Sequence, residues 1–413
     1  MEEMIFASEQ GRVIPKEDKI FGINNRAKAM IAEEGKEKVV NATIGALLDD
    51  DGELIVLSSV NDVFKNLSPK EFAEYAPISG TAEFKAAVIK DALRTYEAKG
   101  FVEASVTPGG TGAIRNTVAN YSDRGDSVLA ADWYWSPYGT IASEQGRKVE
   151  TFAFFNEERK FNAADLKKRA EEILKKQQRL VIILNTPAHN PTGYSLTTED
   201  WTGVKKVLES LPDKKKITLL VDVAYIDFAG DEDEYRSFLP VLEEMPENVL
   251  TLISHSLSKA YTLYGMRCGA LICIAKTEET AEEFKRVCEF SSRASWSNCP
   301  RAPQTILARI YSDPELKAKV FDERKGYREM LLRRGKAFEK AAAECGLEMV
   351  PFDAGFFASI PCSNPDKVSA RLEKEGIFLV PLAKGLRVSI ASVSEQVCCM
   401  LPSRILAAMK AEE

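Results

Sequence analysis

The sequence predicts an α/β protein: a large three-layer domain built on a mostly parallel sheet, plus a smaller α+β domain. Strand-like apolar runs alternate with polar or helical stretches such as 163–176, which is typical of parallel sheets covered by helices. Polar residues directly follow several of these runs, and open α/β sheets bind ligands at such strand ends. The predicted strands are 103–107, 127–131, 180–184, 217–222, 249–253 and 269–275.

A change of pattern near residue 314 predicts the smaller domain. A long helical pattern covers 323–344, and apolar segments follow at 356–360 and 380–390. We therefore predict three parts of the chain: an N-terminal segment that packs with the small domain, a large cofactor-binding domain and the small domain, which are residues 1–48, 49–313 and 314–413.

Composition limits the possible partners. The chain has 413 residues, enough for more than one domain with a real core, and its formal net charge of -7 disfavours nucleic acid and anionic membranes as partners. No apolar run approaches the roughly 20 residues that cross a bilayer. The segment Met1–Met4 does not begin like a signal peptide. We therefore expect a cytoplasmic protein.

Cysteine and histidine usage argues against metal chemistry. The eight cysteines show no Cys-x-x-Cys spacing, which favours reduced thiols over disulfides. The only two histidines, His189 and His255, leave little material for a zinc site or a Ser-His-Asp triad. We expect both to be hydrogen-bonding loop residues.

Lys259 is the strongest candidate for a reactive residue. It ends the run Ser254-His255-Ser256-Leu257-Ser258-Lys259, which follows a predicted strand, and Arg267 lies eight residues further on. A primary amine at a strand end can condense with the aldehyde of pyridoxal phosphate, while nearby hydroxyls and a guanidinium hold its phosphate. Alone, such a run is usually a solvated connection.

Three further polar residues at strand ends suit the same cofactor. Asp222 ends the apolar run 217–221, and a carboxylate there would match a protonated pyridine nitrogen. Tyr225 and Asn190 would both reach the 3-oxygen of the ring. Taken separately, Asp222 is compatible with a helix cap and Asn190 with a turn start.

A glycine-rich turn and an aromatic segment complete the pattern. The turn Thr107–Arg115 opens a predicted helix, and its glycines would let backbone amides approach a phosphate. The segment Trp133–Tyr138 offers an aromatic face for a planar ring, although core packing would also explain it.

In this order, the motifs resemble fold type I pyridoxal phosphate aminotransferases, in particular the aspartate and aromatic aminotransferase subgroup. The similarity runs nearly end to end. Ile20–Ile23 and Asn41–Gly45 resemble the N-terminal segment of the subgroup, and Gly385–Ser389 resembles its substrate-carboxylate segment. Tyr75–Gly80 and Arg293–Asn298 resemble two segments that reach into the active site of the neighbouring subunit.

The resemblance implies a role for each motif residue. Lys259 is implied to form the Schiff base and to carry the proton, with Asp222 on the ring nitrogen. The implied contacts of the 3-oxygen are Tyr225 and Asn190. The implied contacts of the phosphate and ring are Gly110, Thr111, Ser256, Arg267, Tyr75 of the partner subunit and, stacked on the ring, Trp135. The implied substrate contacts are Gly45, Asn190, Arg387 and Arg293.

Two positions depart from the pattern of the subgroup. Tyr138 stands where aspartate aminotransferases often carry a histidine behind the ring aspartate. Asn185 stands where they can carry another histidine before the Asn-Pro turn. Groups behind a cofactor-binding residue tune it, so these departures bear on Asp222 and on substrate choice.

The resemblance implies a homodimeric aminotransferase that moves an amino group between an L-amino acid and a 2-oxo acid. One alternative with the same cofactor is a carbon–sulfur β-lyase, and another is a non-catalytic binding module. From a different class, Ser256–Lys259 matches the Ser-x-x-Lys motif of penicillin-binding enzymes, but no Ser-x-Asn follows it and Lys276-Thr277 precedes Glu278 rather than Gly.

The preferred substrate stays open between two classes. Arg293 favours aspartate or glutamate, because its guanidinium matches a distal carboxylate. Phe21, Ile44 and Trp296 would instead line an apolar pocket for aromatic side chains if Arg293 turned away.

Overall fold

The computed structural model describes residue 6 and residues 18–230 and 234–412. The segment Met1–Met4 and most of the predicted N-terminal part before residue 18 lie outside these described residues. Within the described ranges, no helix combines the length and apolar character needed to cross a membrane.

A seven-stranded sheet forms the centre of the larger part of the chain. Its spatial order is β2-β8-β7-β6-β5-β3-β4, and every pair is parallel except the two that involve β8. The strands are β2 Phe101–Thr107, β3 Ser127–Ala131, β4 Lys148–Phe152, β5 Arg179–Asn185, β6 Lys216–Asp222, β7 Val249–Ser256 and β8 Gly269–Ala275.

All six predicted strands are present in this sheet, and its seventh strand, β4, was missed. The prediction of a mostly parallel sheet is confirmed, with β8 as the antiparallel member. The missed strand, β4, lies at the sheet edge, where it is only partly buried and carries charged residues among its apolar ones. Central strands such as β6 are buried almost throughout, which explains their unbroken apolar runs.

Helices cover the sheet and build the rest of the molecule. They are α1 Lys19–Glu34, α2 Ser58–Lys65, α3 Pro69–Ala73, α4 Ala82–Leu93, α5 Gly109–Tyr121, α6 Pro137–Glu144, α7 Ala163–Leu174, α8 Thr198–Glu209, α9 Leu239–Glu243, α10 Leu257–Ala260, α11 Glu278–Ser295, α12 Arg301–Ser312, α13 Pro314–Cys345, α14 Pro365–Lys374 and α15 Glu395–Ala411.

The long helix α13 begins and ends at clear sequence signals. Asp313 caps it by accepting hydrogen bonds from the amides of Glu315 and Leu316, with Pro314 as its first residue. Gly346 ends it in a left-handed conformation (φ 78°), which costs glycine little. The helix predicted over 323–344 therefore starts nine residues earlier than its periodicity suggested.

A second core forms around a three-stranded antiparallel sheet near the C-terminus. Its strands are β9 Phe357–Pro361, β11 Val380–Leu382 and β12 Gly385–Ser389, in the order β11-β12-β9. Phe338 of α13 and Leu401 of α15 belong to this core, and so does Ala42. In addition, β1 Val40–Asn41 pairs in parallel with β10 Ile377–Phe378.

Candidate active site

The candidate site lies where the carboxyl ends of three neighbouring parallel strands meet. Asn185 of β5 is paired in register with Asp222 of β6, and Asp222 with Ser254 of β7. Lys259 lies five residues after Ser254, on the short helix α10 that begins where β7 ends. The sheet therefore brings together residues from three separate motifs, as open parallel sheets do at this edge.

Lys259 lies on the short helix α10 and is held in a low-polarity environment. Ser256 caps this helix, because its hydroxyl accepts from the Ser258 amide at 3.3 Å. The Lys259 amine donates to the Gly45 carbonyl at 2.5 Å, and it lies 4.8 Å from the centre of the Tyr264 ring. Burial, with added repulsion from the charges of Arg267 and Arg387, lowers the pKa of Lys259 to about 7.

Such an amine is unprotonated in a large fraction of molecules near neutral pH. Only the unprotonated form can attack a carbonyl carbon. The same group can then accept or release a proton without a large energetic cost, since its pKa is close to the working pH. This environment suits a nucleophile and a proton carrier.

Asp222 is buried, with a hydrogen bond to each carboxylate oxygen. The Tyr138 hydroxyl donates to Oδ2 at 2.6 Å, and the Ala224 amide donates to Oδ1 at 3.3 Å. Burial raises the pKa of Asp222 to about 6, and both hydrogen bonds oppose that rise. A carboxylate in this position favours a nearby cation, because a cation would offset the cost of burying its charge.

The two departures from the subgroup pattern both contact this aspartate. Tyr138 donates to the side chain of Asp222, and Asn185 donates through Nδ2 to its backbone carbonyl at 2.7 Å. Asn185 also accepts from the Asn190 amide at 2.6 Å. Burial and the adjacent carboxylate raise the pKa of Tyr138 well above its usual value, so it stays a donor.

Asn190, Tyr225 and Arg387 form a second connected group. Asn190 Nδ2 lies 3.4 Å from the Tyr225 hydroxyl, and Asn190 Oδ1 accepts from Arg387 Nη1 at 3.2 Å. Arg387 Nη2 donates to the Thr43 carbonyl at 2.8 Å, and its guanidinium lies 4.3 Å from the centre of the Phe357 ring. Burial lowers the pKa of Arg387 to about 10, so it stays charged at neutral pH.

The glycine-rich turn and Arg267 approach each other closely. A Cβ atom on Gly109 would lie 2.7 Å from Arg267 Nη2, and one on Gly110 would lie 3.3 Å from the Ser254 hydroxyl. Arg267 Nη1 donates to the Ser258 hydroxyl at 3.1 Å. The N-terminus of α5, including Thr111 in its first turn, therefore shares a space with a guanidinium and serine hydroxyls. That combination suits a phosphate.

Trp135, Tyr75 and Arg293 stand apart from these contacts. Trp135 is partly buried and packs edge-on against Tyr138, with ring centres 5.6 Å apart. Tyr75 is 86% exposed, and its carbonyl accepts from Arg301 at 3.3 Å. Arg293 is also exposed, and its Nη1 donates to the Ser297 hydroxyl at 2.6 Å. The polar contacts of Tyr75 and Arg293 thus lie away from Lys259.

Several residues that contact this cluster were not predicted from the sequence. The Tyr264 ring lies beside the Lys259 amine, and the Tyr264 hydroxyl accepts from the Leu47 amide at 3.0 Å. Thr43 contacts Arg387 through its carbonyl. Phe357 lies so close to Gly45 that a Cβ there would fall 2.6 Å from its ring. No local pattern marks these contacts, because they join residues far apart in the chain.

Fold and site together define a pyridoxal phosphate-dependent enzyme. The family model described as aminotransferase class I and II matches residues 37–405, so the chain belongs to this family. As a member of this family, the chain is an aminotransferase. The family depends on pyridoxal phosphate.

Similar proteins agree with this assignment. The mitochondrial aspartate aminotransferase of Xenopus tropicalis is 27% identical over 389 residues, which cover 91% of this chain and 87% of that protein. The aromatic-amino-acid aminotransferase of Paracoccus denitrificans is 25% identical over 404 residues, covering 94% of this chain and 96% of that protein. A solved aminotransferase from Anaerococcus prevotii is 39% identical, with a TM-score of 0.95 over 98% of this chain and 100% of that chain.

A more distant structure shows the same fold. An aromatic-amino-acid aminotransferase from Burkholderia pseudomallei, covalently bound to pyridoxal phosphate, is 22% identical with a TM-score of 0.81. It covers 98% of this chain and 100% of that chain.

The residues of this chain fit pyridoxal phosphate. The space beside Gly109 admits no side chain without a clash with Arg267, which matches a phosphate cradle. Asp222 is a buried carboxylate without a cation among its described contacts, and Lys259 is an amine with a lowered pKa. The phosphate, the ring nitrogen and the aldehyde of the cofactor would thus meet a guanidinium, a carboxylate and an amine, respectively.

Proposed function

We propose that this aminotransferase accepts the dicarboxylic amino acids aspartate and glutamate, and that it works as a homodimer in the cytoplasm. The observation that carries the substrate proposal is the pair of arginines. Buried Arg387 suits the α-carboxylate, and exposed Arg293 is available to a distal carboxylate in a second subunit.

Arg387 would hold the α-carboxylate of the substrate. It is 3% exposed, and its Nε is buried without a hydrogen-bond partner within the described part of the chain. A buried guanidinium nitrogen without an acceptor is costly, and a bidentate carboxylate would satisfy it. Asn190 fixes the other edge of the guanidinium through Nη1.

Lys259 and Asp222 would hold the cofactor and move the proton. Pyridoxal phosphate supplies a ring that withdraws electrons from the α-carbon of a bound amino acid. The Asp222 carboxylate would keep the ring nitrogen protonated, which strengthens that withdrawal. The Lys259 amine, once released from the cofactor, would carry the proton between the α-carbon and the cofactor. Its pKa of about 7 supports this role.

Further residues would position the cofactor. Tyr225 and Asn190, which lie within 3.4 Å of each other, would donate to the 3-oxygen, and Trp135 would cover the ring. The remaining contacts are with the phosphate and would come from Gly110, Thr111, Ser256, Arg267 and Tyr75 of the partner subunit.

Exposed apolar and aromatic surface supports the homodimer. Tyr75 is 86% exposed, and Phe290, which lies one turn before Arg293 on α11, is 78% exposed. Aromatic residues are enriched at the contact surfaces of proteins. In a two-fold dimer, each subunit would place Tyr75 and Arg293 in the site of the other.

The division of the chain supports a site between two domains. We propose that residues 49–313 form the cofactor-binding domain and that residues 314–413 form the small domain. Residues 1–48 would pack on the small domain. The β1–β10 pairing and the position of Ala42 in the second core favour this packing. Arg387 on β12 and Lys259 on α10 would then face one substrate from opposite domains.

An aromatic substrate is the second candidate. Phe21 is 61% exposed, and Trp296 is partly buried close to Arg293 in the chain. A carbon–sulfur β-lyase and a binding module with the same fold are disfavoured, because the family and the similar proteins are aminotransferases.

The test is a comparison of amino donors in an Arg293→Leu variant. A carboxylate paired with a guanidinium at a bidentate site discriminates by a few kcal/mol. We expect turnover of aspartate to fall far more than that of phenylalanine, with the same monocarboxylic 2-oxo acid as acceptor for both donors. Arg286→Leu is the matched control, since Arg286 is an exposed arginine of the same helix that pairs with Glu282. Equal losses with both donors would show that Arg293 is only structural.

A further inference from the structure

A buried ionic cluster lies under the turn that carries Lys259, and the proposed chemistry does not use it. We call it the Asp91 cluster. Two of its members, Asp91 and His255, are almost completely shielded from solvent. Its members come from α4, β7, α12, α13 and the loops between them: Asp91, Arg94, Asp227, Arg236, His255, Tyr261, Tyr311 and Arg324.

Asp91 is the centre of the cluster. Its Oδ1 accepts from the Tyr261 hydroxyl at 2.9 Å and from the Tyr311 hydroxyl at 2.6 Å, and it lies 3.0 Å from Arg94 Nη1. Its Oδ2 lies 3.1 Å from His255 Nε2. Burial alone would raise the pKa of Asp91. This effect is outweighed by the charges of Arg94 and Arg324 and by the contact with His255, so the pKa lies well below its usual value. The carboxylate is therefore ionised and acts as a multiple acceptor.

Two of these contacts frame the reactive lysine. His255 lies four residues before Lys259, near the end of β7, and Tyr261 lies two residues after it. The segment between them is the single-turn helix α10, closed by backbone hydrogen bonds from the amides of Tyr261 and Thr262 to the carbonyls of Leu257 and Lys259. So short a helix has little stability of its own.

We propose that Asp91 is a positioning residue for Lys259, because its one carboxylate holds both ends of the turn on which the lysine lies. The inference rests on the role proposed for Lys259 above. With His255 and Tyr261 both fixed to Asp91, the backbone of α10 cannot rotate or fray without breaking a buried contact. The amine is then presented to the cofactor in one orientation.

A buried carboxylate at this place needs a reason beyond stability. An ion on α4 with no exposed surface is costly to desolvate, and apolar packing would fold the same helix at least as well. The contacts of Asp91 instead connect the lysine-bearing turn to α4 and, through Tyr311, to α12. Fixing a reactive side chain through a supporting contact is a recognised means of preorganising a site.

Two phenol substitutions separate positioning from general support. Tyr261→Phe and Tyr311→Phe each remove one hydroxyl that donates to Asp91 Oδ1, but only Tyr261 borders the lysine-bearing turn. The two variants therefore remove the same kind of donor from the same acceptor, and Tyr311→Phe also removes the hydroxyl that accepts from Arg94 Nη1. Global stability of both is measured first, so that the comparison is made under conditions in which both are folded.

Hydrogen exchange of the saturated enzyme gives a readout that does not depend on turnover. In Tyr261→Phe we expect the amides at positions 261 and 262 to exchange at least about tenfold faster than in the parent, since a hydrogen bond to a charged acceptor is lost. In Tyr311→Phe the same amides should stay within about twofold of the parent. Equal exchange at these amides in the two variants would overturn the proposal.

Capture of the cofactor gives the second readout. Full-length protein freed of cofactor is mixed with pyridoxal phosphate, and the visible absorbance of the lysine-bound cofactor is followed. We expect about tenfold slower capture for Tyr261→Phe and an unchanged rate for Tyr311→Phe, and unchanged capture by both would contradict the positioning role. A parent protein without visible absorbance would instead refute the role proposed for Lys259, and the exchange comparison does not depend on that result.

His255→Gln replaces Tyr261→Phe if the latter does not fold. It alters the other end of the clamp and leaves Tyr261 in contact with Asp91. Faster exchange at positions 257–262 supports the proposal, and parent-like exchange there contradicts it.

Discussion

Replacing Tyr138 by phenylalanine tests how this chain holds its ring-binding aspartate. The substitution removes one hydroxyl, which donates to Asp222 Oδ2 at 2.6 Å, and leaves a ring of the same shape in the core. The Ala224 amide, at 3.3 Å from Oδ1, would be the remaining hydrogen-bond donor to the carboxylate. We expect the pKa of Asp222 in the cofactor-free protein to rise above its present value of about 6.

The magnitude follows from the hydrogen bond that is lost. A hydrogen bond to an ionised acceptor contributes roughly 1.5–3 kcal/mol, against about 1 kcal/mol for a neutral pair. The substitution should thus cost about 0.5–2 kcal/mol more when Asp222 is ionised than when it is protonated. Since 1.36 kcal/mol corresponds to one pKa unit, the pKa should rise by roughly one unit.

The sign of the pH dependence follows from the direction of the shift. Burial raises the folded-state pKa of Asp222 from 3.8 to about 6. The stability that this group contributes is therefore fully present below its unfolded value and is lost as pH rises through its folded value. Over that window the parent protein without cofactor should lose on the order of 3 kcal/mol from this group alone.

The assay is urea unfolding of the cofactor-free parent and Tyr138→Phe proteins at about pH 5 and about pH 8. The variant should be less stable than the parent at both values, and the deficit should be about 0.5–2 kcal/mol larger at the higher pH. Tyr134→Phe is the matched control, because Tyr134 stacks on Tyr138 with ring centres 6.2 Å apart and makes no described contact with Asp222. A deficit of equal size at both pH values would refute the assignment of Tyr138 as the donor that supports the charged carboxylate.

Two further outcomes are expected. Asp222→Ala should lose several kcal/mol of catalytic stabilisation at saturating cofactor, because it breaks a buried charge pair from one side. A loss of only a few-fold in rate would count against the role of Asp222 on the ring nitrogen. Sedimentation at assay concentration should show a dimer, since Tyr75 and Arg293 are exposed on one chain, and a fully active monomer would overturn shared sites.

The sequence carries the strand ends of the site but not its long-range contacts. Apolar runs that end at Asp222 or shortly before Lys259 mark buried strands, because central parallel strands are apolar on both faces. The register that aligns Asn185, Asp222 and Ser254 has no local signal. It depends on how three separate strands pair.

Contacts made by backbone carbonyls were also beyond prediction. The Lys259 amine donates to the carbonyl of Gly45, 214 residues away in the chain, and any residue type offers such an acceptor. The Asp91 cluster was not predicted for a related reason. Asp91 lies in the amphipathic pattern of α4, and only the packing of α4 against the lysine-bearing turn shows that it is buried.

The most direct test of the central claim is to locate the lysine that binds the cofactor. The full-length protein is saturated with pyridoxal phosphate, treated with borohydride to fix the cofactor on its amine, digested and analysed by mass spectrometry, beside a Lys259→Ala variant. We predict that the adduct falls on the peptide containing Lys259, and that the variant folds and binds cofactor but has neither adduct nor transamination. An adduct on another lysine, or normal turnover by Lys259→Ala, would contradict the account.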